Sequence, residues 1–250
     1  MPLPVNCAIG SGMFTDKRRD SIRVEAAGRV WTLWRPADLE SLWEAMTNPS
    51  AEAGEEALSG PGPEDERIPY WVEVWPASLV LAEWLLERRE SLAGRACLDL
   101  GCGLGLSALV ASGLGARVLA VDYEKSALDF SRLNERENSA SPSPGAVLWT
   151  LADWRVPAFK ARAFDFIWGG DIMYERRFIL PVLNCLEYAL APGGRVWMAD
   201  PGRDVYADFL EALKARGWSC AGLRAVPASA LRFSGQSTGM NVNLWELGHE

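Results

Sequence analysis

From residue 94 onward the chain alternates between two hydrophobic patterns. Ala96–Leu100, Arg117–Val121, Ala146–Thr150, Ala163–Trp168 and Arg195–Ala199 are short, mostly apolar runs that stop at glycines, acids or turns. Strands of a parallel sheet, covered on both faces, read this way. Between them, residues 104–113, 125–138, 175–190 (with Pro181 inside) and 205–216 carry apolar side chains at helical spacing. Trp218–Val226 and Asn241–Leu247 then read as a closing antiparallel pair around a polar loop, 227–239. The alternation predicts an α/β fold: a doubly wound, mostly parallel, seven-stranded Rossmann-like sheet with an antiparallel C-terminal strand.

The first part of the chain has a different rhythm. Residues 1–20 are small and polar and read as a flexible tail. Ile22–Glu25 and Val30–Trp34 alternate around Ala27-Gly28, which predicts a β-hairpin, and Pro36–Met46 has the spacing of a short helix. Hairpin and helix form an appendage over 21–46. Residues 47–66 are acidic and rich in Gly and Pro and read as a flexible linker. Order resumes at 67 and continues as one domain to 250. Pro76 is placed to open a helix running to about Ser91.

Composition narrows the function classes. Among 250 residues, 49% are apolar and 23% charged, as in a globular protein with a real core. The net charge of −8 disfavours a nucleic-acid partner, because such binding depends on Lys and Arg neutralising phosphates. Five scattered cysteines and a single histidine, His249, offer neither a metal pattern nor a histidine base. No leader pattern and no long uncharged apolar run is visible, so the expectation is a cytoplasmic chain without a membrane partner, working as a monomer.

The chemistry concentrates in Asp99-Leu100-Gly101-Cys102-Gly103-Leu104-Gly105. Gly101, Gly103 and Gly105 alternate over the turn between a strand and a helix, where bare main chain and unpaired N–H groups can meet a ligand. The spacing is G-x-G-x-G, not the G-x-G-x-x-G that seats a pyrophosphate. Asp99, two residues before the first glycine, would repel pyrophosphate. It suits a cationic ligand such as the amino group and sulfonium of S-adenosylmethionine. Asp122 ends the next strand, where an acid can take a ribose hydroxyl pair, and Tyr123 stands beside it. Asp153-Trp154, past the third strand, could clamp an adenine. Asp171 and Tyr174, past the fourth strand and after Gly170, face the glycine turn across the expected cleft and are the catalytic candidates. With Asp200, five acids fall at the same rim of the sheet.

The D-x-G-x-G-x-G run with Asp122 resembles the signature of class I (seven-strand) methyltransferases. Trp75-Pro76, Asp153-Trp154 and Gly170-Asp171-Ile172-Met173-Tyr174 resemble the protein lysine methyltransferases grouped with nicotinamide methyltransferase-like sequences. In that group a (D/E)-x-x-(Y/F) motif after strand four is tied to activity on lysine. Asp200-Pro201-Gly202-Arg203 further resembles the branch that acts on the β-subunit of electron-transfer flavoprotein. The resemblance implies that Trp75, the glycines, Asp122 and Asp153 hold S-adenosylmethionine while Asp171 and Tyr174 face the lysine. The expected partner is therefore a protein substrate, one like that β-subunit among the candidates. The N-terminal hairpin, the acidic linker and Val74 before the tryptophan depart from the branch. Two other readings stand beside this one: a small-molecule N- or O-methyltransferase, and a non-catalytic donor-binding module.

Overall fold

A computed structural model describes residues 19–38, 69–139, 143–227 and 241–249. The expected helix over 36–46 and the acidic linker fall almost wholly outside them. Only Pro36 is seen in an element, as the last residue of a strand.

Seven strands form one sheet: β3 (Ala96–Leu100), β4 (Arg117–Asp122), β5 (Ala146–Leu151), β6 (Phe164–Gly170), β7 (Leu190–Asp200), β8 (Trp218–Pro227) and β9 (Asn241–His249). Their order is β5-β4-β3-β6-β7-β9-β8. The first five are mutually parallel, and β9 inserts antiparallel between β7 and β8. The chain leaves β3 in both directions, toward β4 and, later, toward β6. That reversal is the switch point at which such sheets bind ligands.

Strand alternation sorts the apolar side chains into two cores. Cys97, Val118, Ala120, Trp168 and Trp197 face one side, and Leu98, Leu100, Val121, Ile167 and Met198 the other. On the first side lie helices α1 (Pro76–Glu87), α3 (Leu106–Gly113) and α4 (Lys125–Asn138). On the second lie α5 (Ile179–Ala189) and α6 (Asp204–Ala215). The single helix expected over 76–91 breaks at Arg88, and a short turn of helix, α2 (Arg89–Leu92), follows.

Two boundaries differ from the sequence reading for physical reasons. The helix expected over 175–190 begins as a 3₁₀ turn, Arg176–Phe178, before α5. Pro181 thereby falls in the first turn of α5, where its missing N–H has no intrahelical partner to lose. Strand β7 starts at Leu190, five residues ahead of the expected Arg195. Pro192-Gly193-Gly194, expected as a turn, lies within β7 as a bulge: Phe164 pairs with Leu190 and Phe166 with Arg195.

The hairpin pairs β1 (Arg19–Ala26) with β2 (Arg29–Pro36) through a turn at Ala27 (φ 50°) and Gly28 (φ 73°). Its inner face, Val24, Ala26, Trp31 and Leu33, is buried in the first core. Among the described residues no helix is long and apolar enough to cross a membrane.

Candidate active site

A cleft of about 1,110 Å³, its open mouth included, lies beyond the C-terminal ends of β3, β4, β5 and β6. The glycine turn forms its floor. Gly101, Gly103 and Gly105 all have left-handed backbone (φ 69°, 51° and 88°), which residues carrying a Cβ rarely adopt. A Cβ on Gly101 would come 2.8 Å from Cγ2 of Ile172, and one on Gly105 would come 2.7 Å from Cη2 of Trp149. The loop is tied to the end of β4 by the Gly101 and Cys102 N–H groups, which donate to the Val121 carbonyl at 2.9 and 3.0 Å.

Asp122 is buried beside this loop. Its Oδ2 accepts from the Gly103 N–H at 2.9 Å and its Oδ1 from the Glu124 N–H at 3.0 Å. Burial pushes its carboxyl up, against the pull of these N–H donors. Asp122, Tyr123 and Glu124 all line the cleft.

Asp99 does not line the cleft. Strand alternation turns it to the side of α3, where it is 2% exposed and accepts from the Ser107 hydroxyl at 2.6 Å. Burial pushes it up to about 6. The sequence reading placed this carboxylate against a cationic ligand; here it holds the glycine turn to α3 from behind.

The upper wall is a strap, residues 69–75, containing a 3₁₀ turn at Tyr70–Val72. Trp75 donates its indole N–H to the Tyr70 carbonyl at 2.7 Å, which fixes the strap's curvature. The Tyr70 ring lies 6.1 Å from that of Trp75 and 4.9 Å from that of Tyr174. Tyr174 continues to Phe178 at 5.2 Å, and Phe178 to Trp154 at 5.5 Å. An aromatic rim thus runs round the cleft, and burial pushes the Tyr174 phenol well up, so it stays protonated.

Asp153 and Trp154 reach the cleft after β5. Asp153 is turned onto Arg155: Oδ1 accepts the Arg155 N–H at 2.8 Å and Oδ2 its Nε at 2.7 Å. At the end of β6, Gly170 lines the cleft and Asp171 adopts left-handed backbone (φ 53°). The Asp171 N–H donates to the Ala199 carbonyl at 2.8 Å, holding the turn against β7. Arg203 closes on its carboxylate with two parallel contacts, Nε to Oδ1 at 2.5 Å and Nη2 to Oδ2 at 2.9 Å. Burial pushes Asp171 up against that pull. Asp200 accepts the Gly202 and Arg203 N–H groups at 2.7 and 2.9 Å, shaping the loop that presents the guanidinium.

Of the residues expected at the site, all but Asp99 therefore line one cleft. Sequence reasoning missed Glu73, Glu124, Glu175, Arg155 and Arg177 as further lining residues, and it gave Arg203 no role. Glu73, Asp122, Glu124, Asp153, Asp171 and Glu175 line the cleft, and Arg35, Arg155, Arg203 and Arg177 pair with Glu73, Asp153, Asp171 and Glu175; six carboxylates against four guanidiniums leave an excess of negative charge suited to cationic occupants.

A family model described as lysine methyltransferase matches residues 64–216. The chain belongs to the lysine methyltransferase family. Curated relatives include the electron transfer flavoprotein beta subunit lysine methyltransferase of Danio rerio, 33% identical over 142 residues, covering 56% of this chain and 53% of the relative. Protein N-lysine methyltransferase METTL21A of Xenopus tropicalis is 36% identical over 101 residues, 40% of this chain and 46% of the relative. The chain spans about half the length of the curated relatives it matches. Magnesium protoporphyrin IX methyltransferase from Synechocystis, solved with bound S-adenosylmethionine, superposes with a TM-score of 0.54. It is 17% identical and covers 85% of this chain and 97% of that one. The fold is thus that of the S-adenosylmethionine-dependent methyltransferases.

Proposed function

We propose that this protein transfers a methyl group from S-adenosylmethionine to a lysine side chain of a protein substrate. The observation that carries the reading is the pairing, in one cleft, of a turn of three left-handed glycines, two of them with no room for a Cβ, with Asp171 and Tyr174 on the opposite wall. Asp122 and the carboxylate surplus suit the ribose and the positive charge of the donor. Trp75 and Trp154 offer aromatic walls to its flat and apolar parts.

S-adenosylmethionine supplies a methyl group on a sulfonium, so the bond formed is N–CH₃, the bond broken is S–CH₃, and the leaving group is neutral. The chain's own task is positional: bind, aim the amine in line and exclude water. The lysine must arrive with its proton lost. Asp171, held still by Arg203, orients the amine through its carboxylate. The Tyr174 hydroxyl, protonated throughout, supplies a neutral hydrogen-bonding partner. The aromatic rim of Tyr70, Tyr174 and Phe178 shields the reacting end from water.

A protein like the electron transfer flavoprotein β subunit is the first acceptor to test, because the relative named for that substrate matches over 142 residues. The test is transfer of labelled methyl from S-adenosylmethionine into a lysate of the parent cell, resolved by size. A discrete labelled protein, with mass spectrometry placing the label on lysine, is expected. Label confined to small molecules, or donor binding without transfer, would overturn the reading.

A further inference from the structure

The N-terminal hairpin grips the floor and the upper wall of the cleft, through two side chains that the transfer chemistry does not use. Asn134 in α4 is fully buried, at 0% exposure. Its Oδ1 accepts the Trp34 N–H at 2.6 Å, and its Nδ2 donates to the Trp34 carbonyl at 3.2 Å and to the Leu104 carbonyl at 3.0 Å. One amide therefore pairs with the backbone of β2 as a neighbouring strand would, and with the same group holds the glycine turn. Ser131, one turn earlier, donates to the Gly103 carbonyl at 2.6 Å. Asn138, one turn later, repeats the pairing on the N–H and carbonyl of Thr32 at 3.1 and 2.8 Å.

The second grip is on the strap. Arg35, near the end of β2, places Nη1 2.5 Å from Oε2 of Glu73. Glu73 lines the cleft, and its neighbours Tyr70 and Trp75 form the upper wall. The hairpin is itself anchored to α1, where the Ala27 N–H donates to Oε1 of Glu83 at 2.8 Å. Glycine turn and strap are thus each fastened to one two-stranded frame, at successive residues of β2.

We propose that the hairpin is a working part of the donor site. Asn134 and Arg35 are positioning residues that hold the glycine turn and the strap at the separation the donor needs. The inference rests on the reading of this cleft as the donor site. A buried amide with three partners and a half-buried ion pair are costly to rearrange, so they set a distance and do not merely decorate a surface.

The test is titration calorimetry with S-adenosylhomocysteine, the demethylated donor, on the full chain and on Arg35→Gln, Glu73→Gln and the double variant. Each single change is expected to weaken binding about three- to tenfold, with the double no weaker than the weaker single, the sign of a shared pathway. The donor KM should rise by a similar factor while kcat at saturating donor moves less. Asn134→Asp, which keeps the acceptor but loses both donated bonds, should weaken binding further. If it does not fold, the Arg35/Glu73 cycle decides alone. Unchanged affinity beside a lowered Tm, or losses that multiply in the double variant, would overturn the inference. Failure of the unaltered chain to bind S-adenosylhomocysteine would instead overturn the donor-site reading.

Discussion

Arg203 closes both oxygens of Asp171 from a loop 32 residues downstream, at 2.5 and 2.9 Å. The side chain of Asp171 is only 5% exposed, so the guanidinium is what lets a carboxylate persist there. Two motifs that the sequence presents separately, one after β6 and one after β7, are a single ion pair in space. Removing the cation leaves the acid buried without a partner and raises its pKa further. Arg203→Gln should therefore shift the acid limb of the kcat/KM profile to higher pH and lower kcat/KM about 10- to 100-fold at neutral pH. Measurement of kcat/KM from pH 6 to 9 checks both the shift and its sign.

Asp171→Asn removes the charge but keeps the size. The expected outcome is collapse of turnover, by about a hundredfold or more, with S-adenosylhomocysteine affinity within about twofold of the unaltered chain. Loss of donor affinity instead would make Asp171 a donor-binding residue. Calorimetry and a methyl-transfer assay on one preparation separate the two.

The glycine cradle predicts a contrast between two left-handed glycines. Gly94 (φ 74°) has open space where a Cβ would go, whereas a Cβ on Gly105 (φ 88°) would meet Trp149 at 2.7 Å. Gly94→Ala should cost about 1–2 kcal/mol in backbone strain alone and leave donor binding unchanged. Gly105→Ala adds a clash under the donor and should weaken binding at least about tenfold. Denaturant melts and a donor titration on both variants give the comparison.

Asp99 links pH to stability. An unfolded aspartate titrates near 4, and burial pushes Asp99 up to about 6 in the folded chain. Between those values the folded state keeps a proton that the unfolded state has lost. Stability from this group is therefore full below about pH 4 and is lost as pH rises through about 6. Asp99→Asn cannot titrate, so its stability relative to the parent should rise by about 3 kcal/mol between pH 4 and pH 8. Urea melts of both proteins at those two pH values measure it.

The legible and illegible parts of this molecule divide by range. Helices and strands follow from local periodicity, so β3 to β6 and α4 come out within a few residues. The glycine turn announces itself because three left-handed positions in five residues leave few alternatives to glycine. Partnerships across the sheet leave no local trace. Asn134 reads as an ordinary polar residue on an amphipathic helix, yet it has no exposure and serves three backbone groups. Arg203 reads as one more loop arginine. For Asp99 the signal was available: it alternates with Leu98 and Leu100 and so shares the side of Cys97, beneath α3. The bulge at Pro192–Gly194 lengthened β7 because pairing with β6 resumes on both sides of it, which only the partner strand reveals.

The two cores also carry different jobs. Trp71, Val74, Cys102 and Leu104, which back the glycine turn and the strap, belong to the first; Ile172, Met173, Tyr174 and Phe178, which follow Asp171, belong to or pack on the second. Gly101 lets the turn close on the second core, against Ile172 and Trp154. On the proposed function, a substitution near Asp171 that spares the Tyr70–Tyr174 and Trp154–Phe178 contacts changes the packing of one side of the sheet only. If the proposed function holds, descendants of such a chain have room to exchange one methyl acceptor for another over evolutionary time without first relearning how to hold the donor.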